Sequence, residues 1–369
     1  SLHVGHLLVY IFSKRLEKHG HHPIFLIGGA TGFIGDPKPT AERQLLSADV
    51  IKKNAEKITA QVKKLFECKT VNNYDWTHQL DILTFLREYG KLFNVNYMIN
   101  KDTVKSRLDS GISFTEFTYQ ILQALDFEHL FKTEGCSLQV GGQDQWGNIT
   151  GGLELIRKIH GVDAKAYGVT VPLFTKSDGT KFGKTEGGAI WLDPEKTTPY
   201  AFYQFWYNTP DADVIKELKQ FTFLTKEEIE EIEKSFIAEP HLRVAQKALA
   251  KEMTTMIHGE GAYNQAVNLS NALFSGKVGS LTKEEIAMGF EGVPTVTLEG
   301  DLNLIDALVN LKAASSKREA RDFINGGAVL VNGVQTKDLE YTVSKENAIG
   351  NEYTIIRSKK KNYYLIKHQ

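Results

Sequence analysis

The sequence is short of cysteine: Cys68 and Cys136 are the only two in 369 residues, far apart and without the spacing of metal ligands. That excludes a disulfide scaffold, offers no metal site, and fits a reducing, cytoplasmic compartment. Long apolar runs are missing too. None approaches the roughly 20 residues that cross a bilayer, and no stretch reads as a signal peptide. Neither sign of charge is in surplus, with 44 Lys plus Arg against 45 Asp plus Glu and a net charge of -1. Global charge therefore gives no support to a nucleic-acid partner, and such support must come from local clustering. No serine or cysteine stands out as an activated nucleophile. What the chain has is bulk: 41% of its residues are hydrophobic, enough for a sizeable core and two or three domains. It opens on Ser1 rather than Met, directly in front of a motif, so we expect residues upstream.

That motif is His3-Val4-Gly5-His6, two histidines three apart ahead of the run Leu7-Leu8-Val9-Tyr10-Ile11-Phe12. The spacing predicts a helix over 6–19, stopped by Gly20 and Pro23, with both imidazoles on one face of its first turn. Free N–H groups and the positive dipole end suit a phosphate there. Gly5 lacks a Cβ, so a flat group such as adenine could lie against the backbone. Ordinary hydrogen-bonded histidines or an accidental metal pair would give the same pattern. A second cationic element far downstream separates the readings.

The apolar run from His22 to Gly29 reads as a strand of a buried parallel sheet. Gly29-Ala30-Thr31-Gly32-Phe33-Ile34-Gly35-Asp36 then supplies GxxGxxG, and Tyr97 with Lys101 supplies YxxxK. Together these raise a rival reading, an NAD(P)-dependent enzyme like the short-chain dehydrogenases. That fingerprint needs a helix running through its last glycine, and Pro37 and Pro39 stand in the way. The glycines read better as a loop bringing backbone and Asp36 close to a ligand. Helices are expected over 47–66, 80–93 and 102–109, with a strand at Thr70 to Asn73.

Ser113 to Glu116 has the form of a capping box opening a helix through Phe127. Phe117, Ile121, Ala124 and Leu125 form its apolar arc. Tyr119, Gln123 and Asp126 line up on the other side with no Lys or Arg among them, a face that could grip an ammonium group. The stretch Leu138 to Asn148 is dense in glycine and amides. Gly141 and Gly142 allow close approach, while Gln139, Asp144 and Gln145 can bond hydroxyls or a ribose. The glycine-rich stretch Thr175 to Gly188 holds Lys181 and Lys184, and reads as a mobile cationic loop closing on a polyphosphate.

Helical spacing runs from Pro199 to about Phe274, with a capping box at Thr225 to Glu228. Gly292, Pro294 and Gly300 mark a linker. Residues 301–369 carry eleven Lys plus Arg against eight Asp plus Glu. Lys317, Arg318 and Arg321 share a helix face, and Asn332-Gly333 is a hairpin turn. Arg357, Lys359, Lys360, Lys361 and Lys367 interleave with tyrosines and aliphatic residues. A folded strand pair presenting basic charge to phosphates is expected.

Taken together, the chain resembles bacterial-type tyrosyl-tRNA synthetases, of class I, over essentially its whole length. His3-Val4-Gly5-His6 is similar to the HIGH signature, and Lys181-Phe182-Gly183-Lys184-Thr185 resembles the KMSKS loop. Asn72 to Trp76, Ser113 to Phe127 and Gly141 to Asn148 are similar to the tyrosyl branch. The resemblance implies an α/β fold with a Rossmann-like parallel-sheet catalytic domain (1–197), a helical anticodon-side domain (198–290), a linker (291–300) and a small α+β RNA-binding module (301–369). It further implies a homodimer that uses ATP as substrate, with Mg²⁺ carried on ATP and pyrophosphate and no organic cofactor. Its partners would be L-tyrosine and tRNA(Tyr). Carried over by position, His3, His6, Lys181, Lys184 and Thr185 would serve catalysis, and Gly5, Arg43, Gly142 and Asp144 would join them around ATP. Asp36, Asn73, Tyr119, Gln123, Asp126, Gln139 and Gln145 would hold tyrosine. Lys317, Arg318, Arg321, Arg357, Lys359, Lys360 and Lys361 would meet tRNA. The family has a segment before the HIGH signature that is not in this sequence, and the loop from Asp36 to Arg43 is one residue short of the usual length. A non-catalytic RNA-binding protein on the same fold is the remaining alternative.

Overall fold

The structure, a computed structural model, describes residues 2–37, 44–174, 184–185, 188–359 and 362–369, with residues 184, 185 and 188 described by backbone alone. Two compact units emerge, one of residues 1–193 and 211–231, the other of 194–210 and 232–369.

The first unit is built on parallel strand pairs. Helix α1 (Val4–Lys18) buries Val4, Leu7, Leu8 and Ile11, the face its 3–4 spacing sets. Strand β1 (Ile24–Ile27) leads from it and pairs in parallel with β2 (Lys69–Asn72), Ile24 opposite Lys69. Helix α2 (Ala48–Phe66) makes the crossover, capped by Ser47 and closed by Glu67 in the left-handed conformation. After α3 (Phe114–Glu134), strand β3 (Leu138–Gly142) pairs in parallel with β4 (Tyr167–Val171), and α4 (Trp146–His160) crosses between them. Gly152 makes α3 and α4 fit, since a Cβ there would meet the Phe127 ring at 2.9 Å. No described helix is long and apolar enough to cross a membrane.

Three local expectations change. Residues 80–93 form no single helix: a short turn Ile82–Thr84 gives way to a π-helical turn Phe85–Tyr89 and a 3₁₀ turn Gly90–Leu92. Phe85, Tyr89 and Leu92 pack on the core of Met98, Ile121 and Leu125, and the wider turn lets them do so together. The second helix is only Asp102–Lys105, because Arg107 turns inward to Glu116 at 3.0 Å and to the Gly111 carbonyl at 3.1 Å. That pair also takes the carboxylate expected to close the capping box at Ser113, which keeps the Ser113 half, a 3.2 Å bond from the Glu116 N–H. The box at Thr225 is complete, with bonds of 2.7 and 3.2 Å to Glu228.

A short antiparallel pair, β5 (Lys184–Thr185) and β6 (Gly188–Ala189), sets Lys184 opposite Ala189. In the second unit, helices within 194–210 and 232–290 lie against a five-stranded sheet. Strand β7 (Thr295–Leu298) falls within the expected linker and pairs in parallel with the last strand, so that segment is built into the sheet. Next come β8 (Leu302–Asn303), β9 (Val329–Val331), β10 (Val334–Gln335), β11 (Thr342–Val343), β12 (Tyr353–Ser358) and β13 (Asn362–His368), with sheet order β10-β9-β12-β13-β7. The Asn332-Gly333 turn joins β9 to β10 with both residues at positive φ, 48° and 84°. Ile356 and Ile366 face one core while Tyr353, Ile355 and Leu365 face another, so the sheet is buried on both sides.

Candidate active site

The two motif histidines cap α1. His3 is the N-cap: its Nδ1 accepts from the Gly5 N–H at 3.0 Å, and the His6 Nδ1 accepts from the His3 N–H at 3.1 Å. The rings lie 3.9 Å apart. With both Nδ1 atoms accepting, the remaining proton of each neutral ring sits on Nε2, directed away from the helix. His6 keeps an exposed edge, yet desolvation of its ring, then the adjacent His3 imidazole, lowers its pKa to about 4. At neutral pH His6 therefore offers a neutral N–H donor, not the positive charge expected from sequence. Gly5 also has a structural role in the cap. A Cβ there would stand 2.8 Å from the His3 ring, so glycine is what lets the histidine cap form.

The start of α1 is tied to the far end of the glycine-rich loop. Val4 donates to the Ile190 carbonyl at 3.0 Å and Leu192 to the Leu2 carbonyl at 2.9 Å, with His3 bridged to Trp191. Because β5 sets Lys184 opposite Ala189, the backbone of Lys184 lies beside the residue that precedes this clamp. Lys181, Arg43, Lys360 and Lys361 lie outside the described residues, as do the side chains of Lys184 and Thr185.

A second group surrounds Asp126. This carboxylate is buried on α3 and accepts from Asn73 Nδ2 and from Trp76 Nε1, both at 2.9 Å. Asn73 is itself fully buried, donating to Thr31 Oγ1 at 3.0 Å and accepting from the Ala30 N–H at 2.7 Å. The Trp76 indole stacks on His129 at 4.3 Å. Burial raises the Asp126 pKa to about 6, partly countered by the Asn73 and Trp76 bonds. Trp76 and His129 are contributors that sequence reading missed, and the only signal was Trp76 closing the Asn72 to Trp76 motif.

Asp36 joins the amide-rich loop, its carboxylate accepting from Gln145 at 2.9 Å and more loosely from Asn148 at 3.4 Å. Asp144 lies against Gly142, where a Cβ would come within 2.6 Å of its Oδ1. Gln139, on β3, keeps a buried Oε1 that has no hydrogen-bond partner among the described residues. Tyr119 and Gln123 lie half-buried on α3, on the same side as Asp126. The glycine loop after β1 forms only a 3₁₀ turn, Thr31–Phe33, before Gly35 at φ 77°. No helix runs through its last glycine, and its first residues instead dock on amides, Gly29 donating to Asn72 Oδ1 at 3.1 Å. The dinucleotide fingerprint is thus incomplete.

In the second unit, Lys317, Arg318 and Arg321 are exposed on helix α5 (Lys317–Asn325). Lys317 pairs with Asp306 at 2.6 Å, and Lys359 rides over the Phe323 ring at 4.8 Å, which brings the end of β12 beside α5. Arg357 faces Tyr363 at 5.8 Å instead, so it stands apart from that group.

Parallel strand pairs and a histidine-capped helix tied to Ile190–Leu192 make this an α/β unit of the kind the comparisons identify. Residues 1–275 match the family model described as tRNA synthetases class I (W and Y). Residues 285–366 match the C-terminal domain described as that of the SYY-like tyrosine–tRNA ligases. The chain is 56% identical over 375 residues to a tyrosine–tRNA ligase 2 of Bacillus cereus, covering all of this chain and 90% of that protein. It is 55% identical over 377 residues to the tyrosine–tRNA ligase of Listeria monocytogenes serotype 4a, with the same coverage. A C-terminally truncated mitochondrial tyrosyl-tRNA synthetase of Coccidioides posadasii superposes at a TM-score of 0.64 and 33% identity, over 73% of this chain and 80% of that one. The chain belongs to the class I tyrosyl-tRNA synthetase family.

Proposed function

We propose that this chain is a tyrosine–tRNA ligase, activating L-tyrosine with ATP and passing it to the 3′ end of tRNA(Tyr). The tyrosine carboxylate attacks the α-phosphorus in line, the bond to the β-phosphate oxygen breaks, and pyrophosphate leaves with the Mg²⁺ it carried. A tRNA ribose hydroxyl then attacks the tyrosyl carbonyl and AMP departs. Such chemistry asks for positioning and for donors aimed at growing charge, not for a protein nucleophile. In this reading the Nε2–H groups of His3 and His6 bond phosphate oxygens, and Lys181 and Lys184 neutralise the leaving pyrophosphate, with Thr185 and Arg43 beside them. Gly142 and Asp144 meet the ATP side. Asp36, Tyr119 and Gln123 hold the α-amino group, and Gln139 and Gln145 line the substrate. Asp126, oriented by Asn73, accepts a hydrogen bond from the phenol hydroxyl.

The observation that carries the tyrosine reading is the buried Asp126 carboxylate, which two side-chain donors orient. A substrate hydroxyl completing that set is favoured strongly over phenylalanine, which would leave a buried acceptor short of a donor. We further propose a catalytic domain at 1–197, a helical anticodon-side domain at 198–290 and tRNA contacts from 301–369, in a cytoplasmic homodimer. Exposed Ile82, Leu83, Leu86 and Phe114 support the dimer, being large apolar groups left uncovered in the first unit. The test is tyrosine-dependent ATP–pyrophosphate exchange, followed by charging of tRNA(Tyr). Exchange with tyrosine at least a hundredfold above phenylalanine is expected, and absence of exchange with any amino acid would refute the proposal.

A further inference from the structure

Two side chains donate to the Asp126 carboxylate, and they are held very differently. Asn73 is locked: its Oδ1 accepts from the Ala30 N–H at 2.7 Å, and its Nδ2 is shared between Thr31 Oγ1 and Asp126. The amide cannot turn without breaking all of these bonds. Trp76 has no such frame. It stands on a helix of four residues, Tyr74–Thr77, too short to be rigid by itself. Its indole is half-buried, and Nε1 makes one bond, 2.9 Å to Asp126. A ring with two side-chain torsions and a single hydrogen bond needs a second contact to stay in one rotamer.

His129 supplies that contact. Its imidazole lies 4.3 Å from the indole, centroid to centroid, with the planes 16° apart. Asp126 and His129 are three positions apart on α3, one turn along the same face. The indole thus spans that turn, its N–H on the carboxylate and its plane on the imidazole. Among the described residues no hydrogen bond ties either His129 ring nitrogen, so the stack is not the by-product of another bond. Desolvation lowers the His129 pKa, with Glu128 and Glu134 opposing that and Lys132 adding to it, while Lys69 of β2 is held by Glu134 at 2.6 Å. At neutral pH the ring is therefore an uncharged plate, a role that a phenyl ring can imitate. Should the indole swing away, Asp126 would keep one donor and take a proton more readily, because both bonds hold its pKa down against burial. A substrate hydroxyl would then lose its acceptor.

We propose that His129 is a positioning residue for amino-acid selection: by stacking on Trp76 it keeps the indole N–H on Asp126, and with it the preference for a hydroxylated substrate. The inference rests on the reading of Asp126 as acceptor of the substrate hydroxyl. Exchange kinetics of the full chain with tyrosine and with phenylalanine test it, beside the indole ¹⁵N–¹H spectrum of its four tryptophans, in which Trp76→Phe marks the Trp76 signal. His129→Ala should raise the KM for tyrosine roughly three- to tenfold, the scale of one aromatic pair. The KM values for ATP and for phenylalanine should stay where they are, and the Trp76 N–H signal should move upfield with faster solvent exchange. His129→Phe should restore both readouts. Trp76→Phe combined with His129→Ala should lose little more than either alone, since both remove the same bond. A merely structural role predicts lower thermal stability with the tyrosine-to-phenylalanine ratio intact. That result would overturn the proposal, as would a Trp76 signal that His129→Ala leaves in place. If His129→Ala does not fold, His129→Leu, which fills the space without a flat face, must show the same two losses. Failure of the wild type to exchange with any amino acid would refute the functional reading itself, whereas an exchanging wild type whose ratio His129→Ala leaves intact would refute this inference alone.

Discussion

At the scale of single residues, proton affinity separates two groups that the sequence presents as simple polar side chains. The Asp126 pKa lies near 6, above the ordinary 3.8, so the folded state holds a proton that the unfolded chain has lost. Stability from this group is complete below about pH 4 and falls as pH rises through 6, by on the order of 3 kcal/mol. Urea unfolding of wild type and Asp126→Asn from pH 4 to 7 should therefore diverge in favour of the variant as pH rises. Over the same window tyrosine affinity of the wild type should strengthen with pH, as the carboxylate becomes the better acceptor. A flat affinity profile would remove the anionic Asp126 from substrate binding. His6 behaves oppositely, staying neutral down to about pH 4. Pyrophosphate exchange should show no gain in rate between pH 8 and 6 from its protonation. His6→Ala should slow exchange by about 10²–10³, the loss of one preorganised donor.

At the scale of elements, the first turn of α1 depends on a glycine. Gly5→Ala forces a Cβ against the His3 ring and should cost about 1 kcal/mol in helix capping. Exchange should fall more than that stability loss accounts for, because both Nε2–H groups move. The Arg107–Glu116 pair is the other dependence, since both side chains are almost fully buried. Arg107→Ala leaves a carboxylate without that partner and should cost about 3–5 kcal/mol by urea unfolding. Local pattern made much of this level readable beforehand. The apolar spacing of α1, the Ser113 cap, the Thr225 box and the Asn332-Gly333 turn each rest on residues within four positions of one another. What escaped is set at distance. Glu116 answers to Arg107 instead of its own helix end, and residues 82–92 follow the core beneath them over their own helical spacing.

At the scale of the whole molecule, the family and order of motifs were legible because each signature is a short run of fixed chemistry. Which side chains touch Asp126 was not, since Asn73 and Trp76 meet it across 53 and 50 residues. The alternation Thr295-Val296-Thr297-Leu298 suits a strand, but the partner it pairs with lies at the end of the chain. The basic surface of the second unit gives the prediction at this level. Arg318→Ala and Arg321→Ala should each weaken tRNA binding and lower the slope of log affinity against log salt by about 1. Exchange without tRNA should be unchanged, and a parallel loss of exchange would place these residues elsewhere in the reaction.

The bond from Val4 to Ile190 gives the loop a built-in reporter. If Lys184 meets the nucleotide as proposed, the backbone beside Ala189 leads straight into that tether, so amide hydrogen exchange at Val4 becomes a gauge of nucleotide engagement. Slower exchange when ATP and tyrosine are added together, with little change for tyrosine alone, would time the closure from the opposite end of the sequence.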